Sequence, residues 1–186
     1  SSLPLMTEKP DVPPGKKPAS RTRRRATVRH SAARLSAVQA LYQIEFSGSP
    51  VNTVIEEFRI HRLGAADVEV SGGAKANDVL FQELVRGSIS RQEEIDVHVG
   101  STLDDSWPLE RIAIVMRCIL RVGTFELITR LDVPVRVVVK EYVDLAHSFF
   151  SGGEPGMVNG VLDKLAHRLR PGELEARLER REKSPE

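Results

Sequence analysis

Cysteine, tryptophan and tyrosine are scarce in this chain of 186 residues, which has one, one and two of them. A single cysteine, Cys118, excludes an internal disulfide and a zinc site built from several thiolates. Because Cys118 lies in an apolar stretch, the sequence predicts a small buried side chain there rather than a reactive thiol.

Long hydrophobic runs and the common catalytic motifs are also absent. No apolar stretch approaches the roughly 18 residues that a membrane span needs, so we expect no transmembrane segment. The sequence contains neither a Walker-type phosphate loop nor a Gly-x-Ser-x-Gly nucleophile elbow. No two of the five histidines are at metal-ligand spacing on one helix face. We therefore expect a protein that is not an enzyme and that has no metal or cofactor.

The net charge of +1 conceals an uneven distribution. Residues 1–34 contain nine lysines and arginines and two acidic residues, so this part carries +7 and the remainder carries −6. The densest charge is the arginine run, Arg21-Thr22-Arg23-Arg24-Arg25. A basic arm on an acidic body is typical of a tail that binds a polyanion.

The composition leaves three interpretations of this arm open. A solvated arm would confer solubility and needs no target. A transit peptide is also rich in arginine, but it should be amphipathic and helical, and five prolines within residues 1–28 argue against that. Nucleic-acid binding explains the density of arginine and its continuation at Arg29 and Arg34. Because residues 1–28 have almost no large apolar side chains after Met6, we expect them to be disordered.

Residues 29–171 have the hydrophobic periodicity of helices. The clearest case is the segment after Asp132, where Val135–Val139 has strand propensity but a longer pattern repeats at three and four residues. We expect Asp132 to cap a helix here, with Pro134 in its first turn. The apolar stripe consists of Val135, Val138, Val139, Tyr142, Val143, Ala146 and Phe149. After the break at 151–156, a second stripe consists of Val158, Val161, Leu162, Leu165 and Leu169.

The same periodicity predicts the other elements of an all-α bundle of about six to seven helices. We expect helices over 29–46 and 51–58, then a loop at 64–76. We expect a helix from a cap at Asn77 to Val99, and a long helix opened by Trp107-Pro108. Residues 172–186 are a charged tail or a frayed helix.

Three segments resemble the NusB family of bacterial transcription antitermination factors, and they occur in that family's order between about Arg34 and Leu169. The first is Arg34 with Gln39-Ala40-Leu41-Tyr42, and the second is Arg117-Cys118-Ile119-Leu120-Arg121 with Phe125-Glu126-Leu127. The third and most specific comprises Asp132-Val133-Pro134, Lys140-Glu141, Asp144-Leu145-Ala146 and Val158-Asn159-Gly160-Val161-Leu162-Asp163-Lys164-Leu165.

This resemblance implies a fold and a function. The implied fold is two three-helix-type subbundles packed as one unit. The implied role is to bind the boxA element of nascent RNA, notably of ribosomal RNA operons, as single-stranded RNA. The implied partners are the ribosomal small-subunit protein NusE and the RNA polymerase antitermination complex, in the bacterial cytoplasm. The sequence leaves open whether the protein is a monomer or a homodimer.

The resemblance also implies candidate site residues. Arg34, Gln39 and Tyr42 match the family's N-terminal RNA-binding motif. From the pattern alone Tyr42 is either a core aromatic or a ring presented at the surface. Asn159 and Gly160 match the turn into the last helix, near the RNA or partner face. Arg23, Arg24, Arg25 and Arg29 are RNA-binding candidates on charge alone.

This chain departs from the family's pattern near the candidate contacts. Met116 stands where the family often has glutamate, and Met157 where it usually has phenylalanine. Both substitutions affect the expected RNA or partner face.

Two other functions stay open. RNA cytosine methyltransferases carry a NusB-like domain, but we expect 26 residues after Gly160 to be too few for a catalytic domain. A protein–protein scaffold with a non-specific basic arm is the other possibility.

Overall fold

The chain forms a bundle of α-helices in a computed structural model that describes residues 18–63 and 77–183. Within these ranges the regular structure is entirely helical, which confirms the prediction of an all-α fold. The helices are α1 (Pro18–Ser47), α2 (Val51–Phe58), α3 (Asp78–Ser90), α4 (Gln92–Gly100), α5 (Ile114–Thr129), α6 (Val135–Phe149), α7 (Glu154–Leu169) and α8 (Pro171–Glu182). A π-helical turn at Arg59–Leu63 extends α2, and a 3-10 turn at Leu109–Arg111 precedes α5. The predicted loop at 64–76 lies outside the described residues.

Helix α6 contains the valine run whose strand propensity conflicts with its helical period. Val135 and Val138 are buried on one face, as the helical period predicts. The helical period determines the structure of this segment, because burying one such side chain contributes about 1.5–3 kcal/mol, more than the roughly 1 kcal/mol range of strand propensity. The predicted cap at Asp132 is wrong. The N-cap is Pro134, and the backbone N–H of Val135 donates to Glu173 at 2.8 Å.

Helix α1 is longer than the sequence predicts. It begins at Pro18, so the predicted start at Arg29 and the predicted disorder of residues 18–28 are wrong. Residues 1–17 lie outside the described residues. Arginine and alanine, which are frequent in this stretch, are strong helix formers, and a proline at the first helical position sacrifices no intrahelical hydrogen bond. Extending a helix that is already packed requires no new nucleus, so solvent-facing side chains suffice to continue it.

Two predicted helix boundaries are also wrong. The expected single helix to Val99 is divided into α3 and α4, because Arg91 has the non-helical torsions φ −111° and ψ 20°. The expected helix start at Trp107-Pro108 is a 3-10 turn instead. Ile112 and Ala113 are extended, and α5 begins after them. Each break depends on one or two backbone torsions, which apolar periodicity does not report.

Helix α5 is the centre of the bundle. Every residue from Cys118 to Leu127 is buried, and α5 contacts α1, α3, α4, α6 and α7. The helices α1, α2 and α3 contact one another, α5, α6 and α7 do the same, and α1 joins the groups through α5. The predicted pair of three-helix subbundles therefore holds. The described residues form eight α-helices rather than six to seven, because α3 and α4 are separate and α8 is an additional helix.

Arg170 anchors the C-terminal segment to the bundle. Its side chain is buried and donates to the backbone oxygens of Leu127 at 2.8 Å and Val133 at 2.6 Å, and also to that of Arg130. The last carbonyl groups of a helix have no partner within the helix. Arg170 thus supplies donors to the C-terminal end of α5 from the junction between α7 and α8.

Glu173 fixes α8 to the start of α6. Its carboxylate accepts a hydrogen bond from Arg170 at 3.2 Å as well as from the N–H of Val135. Leu174 packs against the edge of the core. The segment predicted as a tail or frayed helix is therefore helical as far as Glu182, and its first turn is docked on the bundle. None of the described helices is long and apolar enough to cross a lipid bilayer.

Candidate nucleic-acid interface

The N-terminal half of α1 presents the predicted arginines to solvent. Arg23, Arg24, Arg25 and Arg29 are all exposed. The first turn of α1 contains no acidic residue. The backbone oxygen of Arg29 accepts a hydrogen bond from the N–H of Asn77 at 3.1 Å, which ties α1 to the start of α3. The helix thus carries a positive surface beyond the packed part of the bundle.

Arg34 lies in the core, although the sequence motif predicts that it contacts RNA. It is 3% exposed and forms a two-pronged pair with Glu126 of α5, with Nε–Oε2 at 2.9 Å and Nη2–Oε1 at 2.5 Å. Glu141 of α6 lies 3.6 Å from its Nη1 atom. Burial lowers the pKa of Arg34, but the hydrogen bond and charge of Glu126 outweigh burial and raise it. Arg34 therefore has no free face for RNA and holds α1 against α5 and α6.

Tyr142 completes this buried cluster. Its hydroxyl donates to Glu126 Oε2 at 2.6 Å, and its side chain is fully buried. Burial, reinforced by the charge of Glu126, raises the pKa of Tyr142 well above its ordinary value, so its hydroxyl stays a donor. Ser31 of α1 donates to Glu141 at 2.8 Å. The cluster sets the rotation of α1 on the bundle and so determines which α1 residues face outward.

Tyr42 and Gln39 lie on the outward side of α1. Tyr42 is 37% exposed and stacks on Phe46, with ring centroids 5.8 Å apart and planes 8° from parallel. Phe46 is 72% exposed. The pair borders an open, mainly apolar groove of about 360 Å³, lined by Val38, Gln39, Tyr42, Gln43, Phe46, Phe58, Val115 and Phe149. Of the two interpretations of Tyr42, the structure supports the ring presented at the surface.

Besides Tyr42, the groove contains two exposed aromatic residues at helix ends. Phe46 lies at the end of α1, and Phe149, 39% exposed, ends the apolar stripe that the sequence analysis gives for α6. Both stand at the last turn of their helices, where no neighbouring helix covers the stripe. The position of Phe46 and Phe149 at predicted helix ends is the sequence signal that could identify them as exposed. The sequence does not show that the two helix ends meet.

The second predicted site, at the motif around Asn159, differs from expectation. Met157, Asn159 and Gly160 lie within the first two turns of α7 rather than in a turn that precedes it. Met157 packs against the core, whereas Asn159 and Gly160 are exposed. None of the three lines the groove beside Tyr42. Met116, which was expected to affect the same face, is 2% exposed and belongs to the core.

These surfaces suit binding rather than catalysis. Exposed arginines attract anions, and an open aromatic pair can stack on flat rings. Within residues 18–63 and 77–183, no group of three or more side chains could hold a metal ion. Burial raises the pKa of Cys118 to about 12, so its thiol is protonated and inert at neutral pH.

Comparisons with known proteins identify the family. The family model described as NusB family matches residues 31–167. The transcription antitermination protein NusB of Nitrobacter winogradskyi is 49% identical over 146 residues, 78% of this chain and 90% of that protein. The protein of the same name from Maricaulis maris is 48% identical over 143 residues, 77% and 89% of the two chains. These names describe a role in transcription, in agreement with the prediction that the chain is not an enzyme.

Solved structures show the same relationship. NusB of T. maritima superposes with a TM-score of 0.63 at 26% identity, covering 78% of this chain and 96% of that one. A crystal structure of the antitermination factors NusB and NusE in complex with dsRNA gives a TM-score of 0.56 at 26% identity, covering 73% and 93%. The helical architecture, the matched motifs and these relatives agree: the chain belongs to the NusB family.

Proposed function

We propose that this protein is an antitermination factor that binds single-stranded boxA RNA together with NusE and suppresses termination by RNA polymerase, notably in ribosomal RNA operons. The names of its relatives support the transcription role. A related structure that contains NusE and RNA supports both partners. The observation that carries the RNA proposal is the exposed Tyr42–Phe46 pair on the same helix as the exposed arginines.

The proposed function assigns different roles to two parts of α1. An α-helix has 3.6 residues per turn, so the 18 residues from Arg24 to Tyr42 make five full turns and place both on the same face. Phosphate contacts position a protein on RNA, while base stacking and contacts to base edges distinguish sequences. Arg24 and its neighbours therefore supply affinity, and Tyr42, Phe46 and Gln39 supply selectivity.

The proposal requires unpaired bases. A ring such as Tyr42 stacks on a base only where the base is not already stacked between neighbours in a duplex. Binding to the single strand should consequently depend on Tyr42, and binding to the matching duplex should not. NusE should raise affinity for boxA RNA more than for scrambled RNA, because it adds a second surface to a shared site.

The test is a titration of boxA-like, scrambled and double-stranded RNA against wild type, Tyr42→Ala and Tyr42→Phe. Losing one base stack costs roughly 1–3 kcal/mol. We expect Tyr42→Ala to lose that amount on single-stranded boxA RNA only, and Tyr42→Phe, which keeps the ring, to retain binding. Arg24→Ala should weaken binding to both single strands about equally.

Thermal unfolding is the control for Tyr42→Ala. A sharp drop in melting temperature together with equal losses on both single strands would mean that Tyr42 acts in packing, and the proposed site would be wrong. Wild-type protein that does not distinguish boxA from scrambled RNA would instead support a scaffold with a non-specific basic arm.

A further inference from the structure

Helix α8 separates its charges onto two faces. Arg177, Arg180 and Arg181 follow at spacings of three and four residues and share one face, whereas Glu175, Glu179 and Glu182 share another. The family model ends at residue 167, so α8 lies outside the matched segment. The basic face of α8 is therefore a feature that the family match does not account for.

The basic face of α8 borders a cavity that it shares with the start of α6. The cavity holds about 270 Å³ and is lined by Pro134, Val135, Arg136, Glu173, Leu174, Arg177 and Arg180. A water molecule takes about 30 Å³ of the liquid, so the cavity is larger than a single ordered water requires. Three of its lining residues are apolar and three are arginines.

The charges around the cavity are unbalanced. Arg136, Arg177 and Arg180 are exposed, and no ion pair joins any of them to a carboxylate of the described residues. The nearest acidic group, Glu173, is already engaged by Arg170 and the N–H of Val135. The surface is thus suited to an anion with several negative groups.

The cavity lies at the end of the molecule that carries the arginine run. Ser31 of α1 bonds to Glu141 of α6, and further along both helices Tyr42 and Phe149 line one groove. The two helices therefore run in the same direction. The first turn of α6, six residues before Glu141, therefore lies toward the same end of the bundle as the exposed arginines that precede Ser31.

We propose that Arg136, Arg177 and Arg180 form a second RNA-binding surface, which takes the phosphate backbone of the same strand beyond its contacts with α1. The inference rests on the proposed RNA-binding function. Charge complementarity and continuity with the arginine run favour a nucleic acid over an acidic protein. The surface contains no aromatic side chain, so it binds without distinguishing sequences.

The experiment compares the triple variant Arg136→Gln/Arg177→Gln/Arg180→Gln with a matched control, Arg86→Gln/Arg111→Gln/Arg168→Gln. Each variant loses three exposed positive charges, but the control residues lie outside both proposed surfaces. The probes are boxA-like and scrambled RNA of equal length, titrated against full-length protein at several salt concentrations. Each phosphate contact on a single strand contributes roughly −0.7 to the slope of log K against log salt.

We expect the triple variant to flatten that slope by about 2, the sum for three phosphate contacts, and to weaken both RNAs by the same factor. The control variant should bind with a slope steeper than that of the triple variant. Equal slopes and affinities for the two variants would overturn the second surface. The second surface would also be overturned if the triple variant lost binding to polyglutamate while its RNA binding stayed unchanged, because the surface would then serve an acidic protein.

Two measurements keep this proposal separate from the first. If wild type distinguishes boxA from scrambled RNA through Tyr42 while the triple variant matches the control, only the second surface is wrong. If wild type binds neither RNA, the proposed function itself fails. Should the triple variant melt early, Arg177→Gln/Arg180→Gln alone, which changes only exposed side chains of α8, carries the same test with an expected flattening of about 1.4.

Discussion

Phe125 of α5 packs its ring directly against the backbone of Gly87 on α3, and a Cβ atom added at Gly87 would overlap the ring. Alanine is ordinarily favoured over glycine in a helix by about 1 kcal/mol. Here the overlap outweighs that preference, because Phe125 is buried and cannot swing away. We expect Gly87→Ala to lower the free energy of unfolding by about 1–3 kcal/mol in urea denaturation.

Gly160→Ala is the matched control for this prediction. Gly160 is also helical, but beyond its chain neighbours and the adjacent backbone of α7 no atom of the described residues lies within 4 Å of its added Cβ, so we expect a gain of up to about 1 kcal/mol. Adding Phe125→Leu to Gly87→Ala should restore part of the loss. Equal effects of the two glycine substitutions would contradict the close contact between α3 and α5.

The buried pair of Arg34 and Glu126 predicts a large effect of removing either partner alone. Arg34→Ala leaves the Glu126 carboxylate uncompensated in the core, and breaking a buried pair in this way costs about 3–5 kcal/mol. Tyr142→Phe removes one hydrogen bond to the same carboxylate and should cost about 1.5–3 kcal/mol. Lys140→Ala breaks only the exposed pair with Asp144, so the free energy of unfolding measured by chemical denaturation should stay unchanged.

Arg170 should matter more for stability than any other arginine near α8. Arg170→Ala removes the donors from backbone oxygens at the C-terminal end of α5 and in the turn that follows it. Leaving such groups unsatisfied costs about 1–3 kcal/mol each where water cannot replace the donor. We expect a clearly lower melting temperature. Arg177→Ala, on the exposed face of α8, should have the same melting temperature as wild type. Equal melting temperatures for Arg170→Ala and Arg177→Ala would show that α8 is not anchored through Arg170.

Cys118 makes the stability of the fold depend on pH in the alkaline range. Burial raises its pKa to about 12, whereas an unfolded cysteine has a pKa of about 8.5. Above that lower value the unfolded chain releases a proton that the folded chain keeps, so stability falls as pH rises toward 12. Wild type should therefore lose stability relative to Cys118→Ala between pH 8 and pH 10. Rapid alkylation of the native thiol at pH 8 would contradict this burial.

The basic arm should control the salt dependence of RNA binding. Removing residues 1–28 deletes seven lysines and arginines. With roughly 0.7 unit of slope per phosphate contact, we expect the slope of log K against log salt to flatten by about 2 to 4. Both boxA-like and scrambled RNA should bind more weakly. An unchanged slope would mean that the arm serves only solubility.

The sequence predicted those features that depend on hydrophobic period. The apolar stripe through Val135 and Val138 correctly predicted helix α6 although valines favour strands, because a helix that packs on a core must bury a side chain on the same face at every turn. The boundaries at Arg91 and Ile112 were not predictable in this way. Each depends on local torsions that satisfy packing between distant helices.

The sequence motif does not distinguish buried from exposed members of the candidate site, as Arg34 and Tyr42 show. Both match one motif on one helix, but eight residues of α1 separate them by about 80° around its axis. Arg34 turns inward to Glu126, and Tyr42 remains at the surface. A motif shows which residues accompany one another. Only the packing of α1 against α5 and α6 decides which of them a ligand can reach.

The unbroken course of α1 also sets a length scale. A helix rises 1.5 Å per residue, so Arg24 and Tyr42 are held about 27 Å apart. If the nucleotides between the two contacts stay stacked on one another, the strand advances about 3.4 Å per nucleotide, so roughly eight nucleotides span this distance. A strand shorter than that reaches the arginines or the aromatic pair, but not both at once. The fixed length of α1 therefore predicts that affinity for single-stranded RNA rises in two steps as the oligonucleotide is lengthened, with the second step near eight nucleotides.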